Sequence, residues 1–247
     1  MHSLRADLHV HTVLSPCGGV EMIPPLIVRQ ALAAGLDWIA ISDHNASANV
    51  AAVQRSAQGT RLAVMPGMEV HSLEEVHVLC LFDTLAQLAA WQEQVDAALP
   101  DVPNTPEYFG EQFVVDESGD FIRREPRLLL SATRLSLAQI CAQVCALGGI
   151  AIPAHVDRTG NGLYGVLGFL PPDLALEALE LSRHTSPAQA RQRYPDAQGL
   201  PFLQNGDVHY LSDFLGANEI VVAQPSIAEL RLALRQAGRR RLTVVSP

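Results

Sequence analysis

Short apolar runs that end close to a histidine recur along the chain, and this pattern restricts the possible folds. His44, His155 and His209 each follow such a run, and an aspartate lies within two residues of the first and the last. Polar residues at the ends of several strands can meet only if those ends lie on one side of a sheet. A barrel of parallel strands gathers them at its C-terminal edge. The pattern therefore predicts a site at such an edge.

Apolar runs with strand character alternate with helical patterns along most of the chain, which favours an α/β architecture with largely parallel strands. The predicted strands are 6–10, 38–42, 62–70, 76–82, 149–154, 176–181, 202–205, 219–222 and 242–245. The predicted helices, which start near proline or serine and stop at glycine, are 26–34, 137–147 and 227–237.

Residues 99–133 interrupt this alternation. They begin with prolines at 100, 103 and 106, followed by two short strand-like runs, 112–115 and 121–124, on either side of a turn at 117–120. This arrangement predicts a β-hairpin inside an inserted segment. Two interpretations of the insertion stay open, a decorative excursion and a lid over the site at the strand ends.

The opening strand carries Asp7-Leu8-His9-Val10-His11. Alternate side chains on a strand share a face, so His9 and His11 point to the same side. A single histidine is more often a core or surface residue than a metal ligand. The set, which recurs at strand ends with Glu69 and His77 in a further strand-rich stretch, predicts a metal centre.

Composition limits the class of protein. With 247 residues, 48% hydrophobic and 17% charged, the chain is expected to form a single domain spanning residues 1–247. The net charge of -9 argues against a sequence-independent grip on nucleic acid, although bound cations would reverse the local sign at a metal site. No apolar targeting or membrane-spanning segment is evident, and the four cysteines form no C-x-x-C pair, so a reduced, cytoplasmic protein is expected.

The ordered motifs resemble the PHP (polymerase and histidinol phosphatase) family. They are Asp-x-His-x-His, Ser-Asp-His, Gly-x-Glu with a later His, Ala-His and Gly-Asp-x-His. The resemblance implies a distorted (β/α)7 barrel with the inserted hairpin, two or three metal ions at the C-terminal ends of the strands, and hydrolysis of phosphate esters. It also implies ligands for a first metal, a second metal that shares Glu69 with it, and a third metal. In that order they are His9, His11, Asp207 and Glu69; His77 and His155; and His44 and His209.

One position departs from the family pattern. Many relatives place a histidine or aspartate six residues after the second histidine of the opening motif, where this chain has Cys17. Cysteine binds zinc as a thiolate, so Cys17 is a candidate ligand of the third metal. Alternatively it points away, with Glu21 or water in its place, or the third site is weak.

The expected chemistry is in-line attack on phosphorus by a metal-bound hydroxide, with two or three cations neutralising the ester. Imidazole ligands favour Zn, Mn or Fe over Mg or Ca. Arg158 is a candidate for gripping phosphoryl oxygens, the alternative being a surface ion pair, and Arg183-His184 is a second candidate. Asp43 is expected to orient a ligand imidazole or to shuttle a proton.

The preferred function is a phosphatase or phosphodiesterase for a small phosphorylated metabolite such as a nucleotide or sugar phosphate. An alternative is a 3′–5′ exonuclease, against which the acidic charge counts. Another is a metal-binding regulatory module without catalysis. Nucleic acid is therefore an unlikely partner in this interpretation, and no membrane partner is expected.

Overall fold

A computed structural model describes residues 1–245. Its strands are β1 (His2–Val10), β2 (Trp38–Ile41), β3 (Ala63–His71), β4 (His77–Leu81), β5 (Phe113–Val115), β6 (Phe121–Arg124), β7 (Ile150–Pro153), β8 (Leu179–Leu181), β9 (Phe202–Gln204), β10 (Asn218–Val222) and β11 (Arg241–Val244). Its α-helices are α1 (Pro24–Ala33), α2 (Val50–Ser56), α3 (Leu85–Ala98), α4 (Pro106–Phe109), α5 (Leu137–Ala146), α6 (Leu163–Val166), α7 (Pro187–Arg193) and α8 (Ile227–Leu234).

The main sheet has seven strands in the order β11-β10-β1-β2-β3-β4-β7. Its pairs β1/β2 and β2/β3 are parallel, whereas the other four pairs are antiparallel. The expectation of largely parallel strands was therefore wrong for this sheet. Only residues 72–76 connect β3 to β4, and so short a link permits a hairpin but no crossover.

The sheet curls into a ring. β8 and β9 form a separate parallel pair, and a few backbone hydrogen bonds join this pair and the residues next to it to the main sheet on both sides. Val156 N donates to Glu180 O at 2.9 Å on one side, and on the other His11 N donates to Val208 O at 2.9 Å. Seven strands, β1 to β4 and β7 to β9, thus surround a common interior, which confirms the distorted barrel. β10 and β11 extend the sheet beyond β1.

Alternate residues of the barrel strands pack into two different cores. In β2, Trp38 and Ala40 join a cluster that includes residues of α8, while Ile39 and Ile41 join the cluster formed with α1, α2, α3 and α5. Both faces of this strand are therefore apolar and completely buried, which explains its continuous apolar sequence. Polar residues therefore lie only beyond the ends of β2.

The predicted hairpin is confirmed, since β5 and β6 pair in antiparallel fashion. It packs on the loops that follow β1 and β2: Phe113 N donates to Val13 O, and Val115 N donates to the Asn49 side chain, both at 3.0 Å. The three predicted helices are present, but α2, α3 and α7 were not expected. Within residues 1–245 the helices are all too short or too polar to cross a bilayer.

Candidate metal centre

Nine side chains of the kind that bind metals converge at one edge of the barrel, and six of them are histidines. The residues are His9, His11, Cys17, His44, Glu69, His77, His155, Asp207 and His209. His77 begins β4 instead of ending it. Because β4 runs antiparallel to β3, its first residue lies at the same edge as the last residues of β3.

Four ligand atoms face one another in the centre of this group. The Nε2 atoms of His9 and His11 are 3.1 Å apart, and Asp207 Oδ1 lies 3.2 Å from each of them. The Glu69 carboxylate completes the set, with Oε1 at 3.3 Å from His9 Nε2 and Oε2 at 3.4 Å from His11 Nε2. Both imidazoles are completely buried.

The hydrogen-bond network assigns the protons of both rings to the nitrogens that point away from this set. His9 Nδ1 donates to the buried carboxylate of Glu180 at 3.0 Å. Ser15 Oγ donates its hydrogen to Asp43 at 2.7 Å, so it accepts from His11 Nδ1 at 2.9 Å. Both Nε2 atoms then carry lone pairs.

When both rings are neutral, two imidazole lone pairs and two carboxylates therefore point at the same small volume without a proton between them. Such a set of acceptors is stable only around a positive charge. Nitrogen and carboxylate oxygen are also the donors that transition metals prefer. The donor set thus fits a divalent transition-metal ion.

Glu69 also faces a second group of imidazoles. His77 Nδ1 and His155 Nε2 lie 3.0 Å and 3.1 Å from Glu69 Oε1, and His44 Nδ1 lies 2.9 Å from Oε2. A carboxylate with ligands on two sides can hold two cations close together.

A third group lies at the mouth of the site. His11, His44 and His209 bring ligand nitrogens close enough to share an ion. His209 Nδ1 lies 2.9 Å from the backbone oxygen of Asp207, which directs Nε2 toward Cys17 Sγ at 3.1 Å. The exposed Cys17 side chain therefore points at this group and not away from it.

The carboxylates and imidazoles of the centre shift one another's pKa values. Burial opposes ionisation, yet the nearby histidines, His77 and His9 foremost, hold the pKa of Glu69 well below its usual range. Burial likewise works against a charged His9, but the carboxylates of Glu180, Asp207 and Glu69 raise its pKa well above the ordinary value, so Nε2 holds a proton that a metal ion would have to replace. The acids therefore stay ionised and attract a cation.

Two of the candidate ligands have an unusual backbone conformation. His155 and Asp207 have φ angles of 30° and 48°, in the left-handed region that L-residues other than glycine adopt at a cost. Asp7 stabilises the second of these turns, since its buried carboxylate accepts the backbone N–H groups of Gly206 and Leu215, both at 2.9 Å.

The other residues singled out in the sequence have varied positions. Arg158 Nη1 contacts Asp207 Oδ2 at 2.6 Å, so it lies beside the centre and is paired with a candidate ligand. Asp43 is completely buried and reaches His11 through Ser15. Arg183 donates to the backbone oxygens of Gly206 and Asp213, which braces the loop. His184 is exposed, and its ring makes no hydrogen bond or ion pair within residues 1–245.

Sequence reasoning missed Glu180, which links three parts of the centre. Its carboxylate accepts hydrogen bonds from His9 Nδ1, the backbone N–H of His155 at 2.9 Å and the side chain of Asn205 at 2.8 Å. The available signal was an acid between Leu179 and Leu181, in the predicted strand 176–181, which contains Glu177 as a second acid.

The sequence matches the PHP domain model over residues 7–144, more than half of its length. The chain therefore belongs to the PHP family, which confirms the expected family. This membership supports the expected enzyme class, a hydrolase acting on phosphate esters. No curated protein shows significant similarity to the sequence.

Solved structures share the fold at low sequence identity. The lesion-specific endonuclease PfuEndoQ from Pyrococcus furiosus matches with a TM-score of 0.73 and 20% identity; the match covers 98% of this chain and 58% of that one. A complex of Endonuclease Q with a 27-mer duplex that carries an abasic lesion matches equally well, at 0.73 and 20%, covering 97% and 58%. This chain thus spans little more than half the length of those proteins.

A provisionally assigned metal-dependent phosphoesterase from Bifidobacterium adolescentis matches with a TM-score of 0.56 and 20% identity, over 83% of this chain and 87% of that one. The likeness to these structures supports the fold. The substrates of those proteins are not thereby substrates of this chain.

Proposed function

We propose that this protein hydrolyses phosphate esters with two or three divalent transition-metal ions. The observation that carries the proposal is the convergence of the Nε2 lone pairs of His9 and His11 with the carboxylates of Asp207 and Glu69. When bound, the ions would lower the pKa of a water molecule and neutralise the charge of the ester.

The candidate ligands fall into three groups, one for each proposed ion. His9, His11, Asp207 and Glu69 would hold the first ion, and Glu69 would bridge to a second ion held with His77 and His155. His44 and His209 would hold a third ion, and we include Cys17 because its sulfur faces His209. Imidazole and thiolate favour zinc, manganese or iron over magnesium.

The residues around the ions have separate tasks. Glu180 and Ser15 fix the tautomers of His9 and His11, and Asp43 holds Ser15 in place. Arg158 is 44% exposed and uses one nitrogen on Asp207, so its remaining N–H groups can reach a phosphoryl oxygen. Arg158 would therefore orient the ester and stabilise the charge that develops on it.

A small phosphorylated metabolite is the first candidate substrate, because the net charge of -9 gives little general attraction for a polyanion. A nucleic acid strand is the second candidate. It is favoured by the likeness to Endonuclease Q over nearly the whole of this chain, which weighs against the expectation that nucleic acid is an unlikely partner.

Hydrolysis assays on protein loaded with zinc, manganese or iron would test the proposal. A panel should include p-nitrophenyl phosphate, bis-p-nitrophenyl phosphate, nucleotides, sugar phosphates, and single- and double-stranded oligonucleotides. We expect turnover of at least one of them, abolished by chelator and by Glu69→Gln. A protein that binds metals but hydrolyses none of these would contradict the proposal.

A further inference from the structure

A cavity of about 390 Å³ is lined in part by Arg158, whose guanidinium also contacts Asp207. Its walls come from the segments 157–168 and 193–196, so the residue that contacts the metal centre also lines the cavity. A ligand whose reacting group lies at the metals could extend past Arg158 into this space. Cavities of this size are typical of small-molecule sites.

The walls of the cavity are held in place. Tyr164 and Tyr194 stack with ring centroids 3.8 Å apart, and Tyr164 donates its hydroxyl hydrogen to Asp196 at 2.9 Å. Asp196 also accepts the backbone N–H of Leu170 at 2.8 Å. At Gly165, a Cβ atom would lie 2.3 Å from the backbone oxygen of Arg158, so the close approach of Gly165 to the turn at Arg158 requires glycine.

The polar groups of the cavity are unevenly satisfied. Both carboxylates are occupied by internal donors: Asp157 accepts from Ser182 N and Oγ, and Asp196 accepts the two bonds described above. The two guanidinium groups, in contrast, have few partners in the protein. Among residues 1–245, Arg193 has neither a carboxylate partner nor a hydrogen-bond acceptor, and Arg158 is bound through Nη1 alone. Both guanidinium groups reach solvent and have N–H groups without a protein acceptor, so the cavity offers cationic donors to an anionic ligand.

Arg193 is also positioned by its surroundings. Its guanidinium carbon lies 5.3 Å from the centroid of the Tyr194 ring, and Tyr194 is itself buried. Contact with an aromatic face restricts the arginine while leaving its N–H edge available.

We propose that this cavity binds a second anionic group, carried by the organic part of the phosphate ester, and that Arg193 is the residue that recognises it. The inference rests on the proposed function, with the reacting phosphate at the metals and beside Arg158. The second group could be the other phosphate of a small bisphosphate or the neighbouring phosphodiester of a nucleotide strand. Both present the same oxygens to Arg193.

Binding measurements with non-hydrolysable phosphonates test this without depending on turnover. Isothermal titration of metal-loaded protein would compare alkylphosphonates with α,ω-alkanediphosphonates of matched and increasing chain length. We expect one diphosphonate to bind about tenfold more tightly than its matched monophosphonate, as for a partly exposed charge-assisted contact. In Arg193→Gln this ratio should fall to near one.

The matched control is Arg29→Gln, which removes the same charge from an exposed position on α1 that does not line the cavity. It should keep the full ratio. Equal affinities for mono- and diphosphonates at every length, no binding of either, or a ratio that survives in Arg193→Gln, would each overturn the proposal.

The source of the anion is distinguished by a second pair of ligands. Short 5′-phosphonate-capped oligothymidylates would carry either a normal first linkage or an uncharged methylphosphonate linkage. An Arg193-dependent preference for the charged linkage assigns the cavity to a strand, and a preference confined to the diphosphonates assigns it to a small molecule. Hydrolysis of p-nitrophenyl phosphate, measured separately, tests the proposed function by itself.

Discussion

Replacing Glu180 by glutamine should damage the metal centre although Glu180 is not a proposed ligand. The carboxylate is 1% exposed and receives three different donors on its two oxygens. His9 Nδ1 lies 3.0 Å and 3.1 Å from these oxygens, the backbone N–H of His155 binds Oε2, and the Asn205 amide binds Oε1. A glutamine must present an NH₂ group to at least one of these donors.

Neither orientation of the glutamine resolves the conflict. If the NH₂ group replaces Oε2, it meets the backbone N–H of His155. If it replaces Oε1, it meets the amide of Asn205, which cannot flip because its Oδ1 already accepts from Leu8 N and Asn218 Nδ2, both at 2.8 Å. Leaving one buried donor unpaired costs about 1–3 kcal/mol of folding free energy.

His9 can supply an acceptor for the new NH₂ group, although the His155 or Asn205 donor stays unpaired, and this change harms metal binding. If its proton moves to Nε2, Nδ1 can accept from the glutamine, but the nitrogen that faces His11 and Asp207 then no longer has a lone pair. Loss of a partner of this kind typically weakens metal affinity by about 10–100-fold. We expect Glu180→Gln to show this loss for one ion, together with lower stability in urea.

The assay is a metal titration against a chromophoric chelator, run beside urea unfolding of the apoprotein. Glu177→Gln is the matched control: it lies three residues earlier, is partly exposed and pairs with Arg231 and Arg235. It should leave metal affinity unchanged. Wild-type metal affinity in Glu180→Gln would refute the assignment of the His9 tautomer.

Other predictions are tested by standard assays. Cys17→Ser should lose one equivalent of metal by elemental analysis and Cys17→His should regain it; a fully metallated serine variant would exclude Cys17 as a ligand. Hydrolysis in ¹⁸O-labelled water should place the label in released phosphate within a single turnover, whereas trapping a phosphorylated side chain would contradict in-line attack by water. Chelator should lower the melting temperature because the acceptors at Glu69 and Asp207 lose their cation, and no change would speak against a metal centre. Asn49→Ala should speed hydrogen exchange in β5 by removing its bond to Val115 N, and unchanged exchange would show that the hairpin is held elsewhere.

Local sequence patterns predicted much of the barrel and the grouping of the candidate ligands. The alternation of His9 and His11 is a property of a single strand, and the helix starts at Pro24 and Ser136 depend on neighbouring residues. The hairpin β5–β6 could also be predicted, because its turn lies between two short strand-like runs. In each case the deciding interaction is short in sequence.

Long-range pairing explains what the sequence did not reveal. The antiparallel direction of β4, which brings His77 to the shared edge, depends on pairing with β3 and β7. The contact between Glu180 and His9 joins residues 171 positions apart, and no local sequence pattern indicates it. The cavity that places Arg193 near Arg158 likewise depends on how two distant loops pack.

The central claim is that Glu69 bridges two transition-metal ions. Anomalous diffraction from crystals grown with zinc, manganese or iron, measured at the absorption edge, tests it most directly. We expect two peaks on opposite sides of the Glu69 carboxylate, one against His9, His11 and Asp207 and the other against His77 and His155. An anomalous map without a peak at Glu69, from protein crystallised with all three metals, would contradict the account.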